Sequence, residues 1–239
     1  MAACRTRLGL RRRGPRLRSA ALLTLALAAG LLPACVNLTE REAQKQALGL
    51  YQENADQYYD RGSYAQALDQ ANKALEMDDD LEDMHLIRAY CLLKIGRGTD
   101  NVDLVDESLE VFAHVEDEFY SGWFNDKRSY RLDFGRGSAH LARALMHDGA
   151  INKIRSKLES QYLAGDARRT QEKLLADEQE ARTDNLNEAE AALRRVLVDD
   201  LQADNAYAYL ELTLVLNEQG GREDEVIANG HRAIELRQE

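Results

Sequence analysis

Residues 48–81, LGLYQENADQYYDRGSYAQALDQANKALEMDDDL, decide how this chain folds. Tyr51, Ala55 and Tyr58 recur at the three-to-four-residue interval of one helix face, and Gly62 interrupts the run. Tyr64, Ala67, Ala74 and Leu75 then resume it. Two helices joined at a glycine turn, with alanines where their backbones approach, satisfy that spacing. The pattern returns. Ala55 and Ala89 are 34 residues apart, and so are Gly62 and Gly96. A fixed stride of that length marks a unit that cannot bury its apolar face alone and must stack on copies of itself.

The segment resembles the tetratricopeptide repeat at nearly every position. It departs at Ala71, where a larger aromatic is usual, and at Asp78-Asp79-Asp80, where proline often stands. The resemblance implies an all-α, tetratricopeptide-like solenoid over 48–239, made of about four antiparallel helix pairs. In the second unit Ser108, Phe112 and Val115 fit the second-helix positions if about seven residues near Arg97–Asp103 are inserted in the turn. The third unit is split. Leu141-Ala142, Leu145 and Gly149 match a first helix, and Ala189, Leu193, Val196 and Leu197 match its partner some 35 residues late. Between them runs the charged stretch 151–184, read as a helical arm with its tip near Gly165, whether one bent helix, two helices or a loop. Ile151, Ile154, Leu158 and Tyr162 would line one face of it. The fourth unit, about 205–238, carries Tyr209, Leu212, Leu216, Gly220-Gly221, Val226, Ala233 and Ile234, behind a capping Asp204-Asn205.

The first 34 residues have a different character. Seven arginines and no acid fill residues 1–19, an apolar run covers Ala20–Leu32, and Leu32-Pro33-Ala34-Cys35 closes it. A basic, then apolar, then small-residue order describes a secretory signal. Thirteen apolar residues fall short of the roughly 20 that a membrane-spanning helix needs. The closing tetrapeptide resembles the lipobox of bacterial lipoproteins. That resemblance implies a diacylglyceryl thioether on Cys35 as the first mature residue, with 35–47 as a tether. Val36, where aspartate usually goes with inner-membrane retention, implies the periplasmic face of the outer membrane.

Without the leader arginines the basic count falls from 31 to 24 against 42 acids, a balance of −18. So acidic a body repels phosphate backbones, which argues against a nucleic-acid partner. Cys4 leaves with the leader, and Cys91 stands alone among Ala89, Tyr90, Leu92 and Leu93, as a buried thiol would.

For binding, the tetratricopeptide resemblance implies groove-facing positions on first helices. These are Gln52, Asp56, Tyr59 and Asp60 in the first unit, and Leu86, Tyr90, Leu93 and Lys94 in the second. In the third they are Ala139, Arg143, Met146 and His147. Tyr59 and Tyr90 either anchor a bound segment or pack between helices. Six of the fifteen aromatics crowd into 119–134: Phe119, Tyr120, Trp123, Phe124, Tyr130 and Phe134. They offer either a docking patch, Trp123 and Phe124 foremost, or plugs where the period is interrupted. Asp78–Asp83 lacks the glycine and the glutamate of a calcium loop, and His140 and His147 have no metal-ligand spacing. Gly135-Arg136-Gly137 reads as a turn. No catalytic or nucleotide-binding motif is present, so the expectation is a non-enzyme without cofactor beyond the Cys35 lipid. Its expected partners are then envelope proteins or peptide segments, at an outer-membrane assembly. The alternative is a ligand-binding accessory subunit of a transport system.

Overall fold

Helices account for nearly all of what this computed structural model describes, namely residues 40–121, 129–160, 162–198 and 205–237. The chain divides into two units, 1–49 and 50–239. Of the first, residues 40–49 are described. They are helical, and all but Ala47 and Leu48 are exposed. Cys35, Trp123, Phe124 and Asp204 lie outside the described residues. Among the described residues no helix is long and apolar enough to cross a membrane.

The second unit is all-α, with eight helices among its described residues. They are α1 (50–60), α2 (Tyr64–Met77), α3 (Glu82–Thr99), α4 (Val102–Tyr120), α5 (Tyr130–Ser160), α6 (Gly165–Val198), α7 (Ala206–Gln219) and α8 (Glu223–Glu235). Each helix packs on the next, and the first helices also touch directly, α3 on α5 and α5 on α7. Adjacent pairs stacked in this way form a tetratricopeptide-like solenoid.

The turns explain the pairing. Gly62 sits at φ 74°, and Ser63 N–H donates to the Tyr58 carbonyl, closing α1. The second pair closes with the same bond, from Asn101 N–H to the Gly96 carbonyl, but the left-handed residue is Asp100 at φ 52°. Gly62 and Asp100 are 38 apart, so four extra residues precede the turn. Ser108, Phe112 and Val115 are buried like Ala67, Ala71 and Ala74, 41 residues before them, as an offset of seven expects. The four residues before the turn do not loop. They add one turn to α3, because winding keeps their backbone groups bonded. Asn101 then caps α4 by accepting from the Asp103 and Leu104 N–H groups, and Asn205 caps α7 in the same way.

Gly96, Gly135 and Gly137 are not turn residues. All three lie inside helices, buried. A methyl on Gly135 would overlap the Phe112 ring, one on Gly137 would stand 2.7 Å from Leu193 Cγ, and one on Gly96 would stand 2.9 Å from Val105 Cγ2. Their function is close helix approach, a use of glycine that needs no positive φ.

Two clusters form the core. The first joins α3, α4 and α5 around Tyr90, Leu93, Phe112, Val115, Leu132 and Ala139, and the second joins α5, α6 and α7 around Leu141, Leu193, Leu212 and Leu216. Helix α5 belongs to both, with Phe134 packed against each. The arm is made of the ends of α5 and α6, with 162–164 outside both helices. Tyr162 falls there, fully exposed, and so not on the helical face expected of it.

Candidate interaction surface

Burial sorts the groove-facing positions. Asp56, Asp60 and Lys94 are exposed, and Gln52 is half-buried. Leu86 and Leu93 are 1% exposed, Tyr90 and His147 are 7% exposed, and Ala139 is fully enclosed. None of these five offers a side chain to a partner. For Leu86, Tyr90 and Leu93 the reason is α5, which lies over α3 where an open groove was expected; of the two on α5 itself, Ala139 is taken up by the first cluster and His147 turns to α6. The Tyr90 hydroxyl donates to the Arg131 carbonyl at 2.5 Å, and its ring packs edge-on against Phe112 and Tyr59. Tyr59, half-buried, also meets Tyr64. Burial pushes the Tyr59 hydroxyl up to about 12. Both tyrosines therefore pack between helices.

Arg143 is committed to Asp106 of α4 at 2.7 Å, and Met146 packs against the first cluster. His147 and His140 reach α6 at two heights. His147 Nδ1 bonds to Glu178 at 2.6 Å, and His140 Nδ1 to Asn185 at 2.9 Å. Both acceptors are oxygens, so each Nδ1 carries the proton. The histidines tie the arm's base together.

Sequence reasoning missed the charged groups that link the first helices. Arg131 of α5 reaches Asp83 of α3 at 2.8 Å and faces Asp56, whose carboxyl is raised by burial and held back by that guanidinium. Glu211 of α7 accepts from the Ser138 hydroxyl of α5 and pairs with Arg97 of α3 at 3.6 Å. Burial raises the Glu211 carboxyl, against the pull of Ser138, Arg97 and Lys94. Three first helices thus meet at one carboxylate. No sequence signal marks this convergence, since its members are up to 114 residues apart.

Of the aromatic segment, Phe119 packs against the first cluster with its ring 6.0 Å from His85, and the Tyr120 hydroxyl donates to Glu82. Phe134 is taken up by both clusters, and Tyr130 is 38% exposed. The described rings mostly plug the interrupted period. Asp78, Asp79 and Asp80 bring carboxylates within 4.8 Å of one another, with Asp79 and Asp80 exposed. Asp80 N–H donates to Asp78 Oδ1 and His85 Nε2 to the Asp79 carbonyl, the bonds of a solvated inter-pair turn. The Cys91 thiol is fully buried and raised to about 12 by desolvation, so it stays protonated at neutral pH.

One surface is apolar and open, and it lies at the end of the stack. Leu210 and Leu214 of α7 are 40% and 46% exposed, and Ile227 and Ile234 of α8 are each 57% exposed. A cavity of about 260 Å³ lies at the α7–α8 turn beside Ile227, lined also by Leu216, Asn217, Val226 and the turn residues Gly220, Gly221, Arg222 and Glu223. Extending the groove register to the fourth unit would have found these leucines from sequence.

No family model matches the chain, and no curated protein matches it. Among solved structures, the crystal structure of MamA protein is similar over 80% of this chain and 92% of that one, at 17% identity and a TM-score of 0.32. A score that low carries no argument about function.

Proposed function

We propose that this chain is a lipid-anchored scaffold of the bacterial cell envelope. It is held at the periplasmic face of the outer membrane through Cys35 and binds protein partners on its stacked helix pairs, in support of an outer-membrane assembly. The observation that carries the reading is a conjunction. A lipobox-like Leu32-Pro33-Ala34-Cys35 precedes a body built wholly, among its described residues, of paired helices. Stacked pairs make extended surface from short units and suit the binding of other chains. The first-helix face keeps one shape through the links at Arg131 and Glu211, so a partner pays little to order it. Two or three acyl chains would make attachment effectively stable, and tethering raises the effective concentration of partners at the same membrane.

Membrane fractionation tests the anchor. Cys35→Ala should move the protein from the membrane to the soluble fraction, and retention of that variant in the membrane would sink the anchor. Photo-crosslinkers placed at the exposed Asp60 and Lys94, in intact cells, test the scaffold. A discrete protein adduct supports it, whereas a small-molecule ligand recovered in place of any adduct favours the accessory-subunit alternative.

A further inference from the structure

Each pair in this stack is a seat for the first helix that follows. In the first pair, Tyr59 of α1 and Leu68 of α2 pack against the cluster built on α3, and Leu75 of α2 is half-buried beside His85. In the second pair the seat on α3 is Leu86, Tyr90 and Leu93, which α5 covers. The fourth pair can be aligned with these through its turn. Gly220 ends α7 at φ 74°, as Gly62 ends α1, and Gly220 N–H donates to the Leu216 carbonyl. Gly62 placed on Gly220 carries Gln52, Asp56 and Tyr59 onto Leu210, Leu214 and Asn217, and the 34-residue stride from Ala55 to Ala89 places Leu86, Tyr90 and Leu93 at those same positions. From the helix starts at Tyr64 and Glu223, Leu68 and Leu75 fall onto Ile227 and Ile234.

Four aliphatic side chains therefore stand exposed at seat positions, with no described helix over them. The end of a self-contained solenoid turns a polar face outward, because an uncovered apolar seat costs solubility. Here the seat keeps leucine and isoleucine, and a cavity at the α7–α8 turn borders its Ile227 end. Charge then narrows the occupant. Glu223 and Asp224 are exposed at the start of α8, Arg222 beside them is bonded to Glu190 and Glu225, Glu235 is paired with Arg232 at 3.5 Å, and Arg237 is stacked over Tyr207. The exposed charge at the turn end of the seat is therefore acidic, on an acidic body.

We propose that α7 and α8 form a docking seat for an amphipathic helix of a partner protein, with leucine- and alanine-type residues on one face and lysine or arginine along its borders. Such a helix adds itself to the stack as a fifth first helix, in the way that α5 sits on α3 and α4. The inference rests on the scaffold reading and names the surface that this reading leaves open.

The test uses the full chain and a fluorescent helical peptide of 18 residues, the length of α3, with a Leu/Ala face and lysine borders. Saturable binding is expected by fluorescence anisotropy, weakened about tenfold or more by Leu214→Glu with Ile227→Glu. Both side chains are already about half in solvent, so the circular dichroism of the variant should be unchanged. The milder Leu214→Ser reads out the same loss if the double variant is unstable. A peptide with glutamate borders should bind several-fold more weakly, the difference shrinking in salt. Absence of binding, or binding indifferent to these substitutions, overturns the proposal. So does a dimer in sedimentation equilibrium that Leu214→Glu abolishes, which would assign the seat to a second copy of this chain. Adducts in cells from crosslinkers at 60 or 94 but none from 214 or 227 would end this inference and leave the scaffold standing.

Discussion

Along α5 the chain passes from one regime of packing to another. Between Leu132 and Ala144 it runs between the two clusters, and nine of those thirteen residues are buried, among them Gly135, Gly137, Ser138, Ala139, Ala142 and Ala144. From Ile151 on α5 to Leu186 on α6, no described residue between them is buried. The lower half is specified by what cannot fit, since small residues set how closely α4 and α6 approach. The upper half is specified by helix propensity, by pairs such as Arg168–Glu172 at 2.9 Å, and by cross-links at its base. The same residue type should therefore behave oppositely in the two halves.

Gly135→Ala gives the largest effect. The added methyl meets the Phe112 ring, which is fully buried and has nowhere to move, and it also crowds Tyr90. Overpacking of this kind typically costs about 1–3 kcal/mol, and the gain in helix propensity offsets only part of it. A net loss of about 2 kcal/mol is expected in urea unfolding. A neutral result would mean that α4 and α5 are farther apart than described here.

Arg182→Met probes the join between the halves. Arg182 Nε donates to Asp148 at 2.7 Å and Nη2 to Glu218 at 2.6 Å, linking α6 to α5 and α7. Both carboxylates keep about a third of their surface in water, so the pairs are partly screened. A loss of about 1 kcal/mol is expected, smaller at high salt. Salt-independent destabilisation would point to lost packing of the arginine stem instead. Gly149→Ala, one turn past the packed half, meets no atom within 4 Å. It should stabilise by about 0.5 kcal/mol, from helix propensity alone. Opposite signs for the two glycine substitutions would establish the contrast, and equal signs would break it.

The stride from Ala55 to Ala89 was legible because a repeated apolar face is a local pattern, whereas the charged stretch 151–184 left one bent helix, two helices and a loop equally open. Gly96, Gly135 and Gly137 were misread because sequence does not separate the two uses of glycine. A positive φ and a missing Cβ look alike until Val105, Phe112 and Leu193 arrive from elsewhere in the chain. Leu86, Tyr90 and His147 were placed on a surface for the same reason. Whether a first-helix position faces solvent depends on the next helix, and α5 carries its own small residues onto α3. The convergence on Glu211 was illegible, whereas Leu210 and Leu214 needed only the register extended by one more unit.

The smallest expected effect concerns pH, and it belongs to the packed half. His140 donates from Nδ1 to Asn185, and burial lowers its pKa below the ordinary 6.5. Arg136 repels the charged ring as well, while the Asn185 bond and Glu188 pull in the opposite direction without prevailing. Protonation is thus harder in the folded chain than in the unfolded one. The stabilising contribution is complete above pH 6.5 and is lost progressively as the pH falls below it, because the unfolded chain takes up the proton first. His85, lowered chiefly by its own burial, adds to the same slope. Asp56 and Glu211 carry carboxyls raised chiefly by burial and act with the opposite sign. His140→Asn keeps a donor near the Nδ1 position and removes the titration. Stability measured in urea from pH 7.5 down to 5.5 should then fall less steeply than in the parent, with the remaining slope due to His85. An unchanged slope would mean that the ring titrates as if in water, and that α5 and α6 do not enclose it even at the base of the arm.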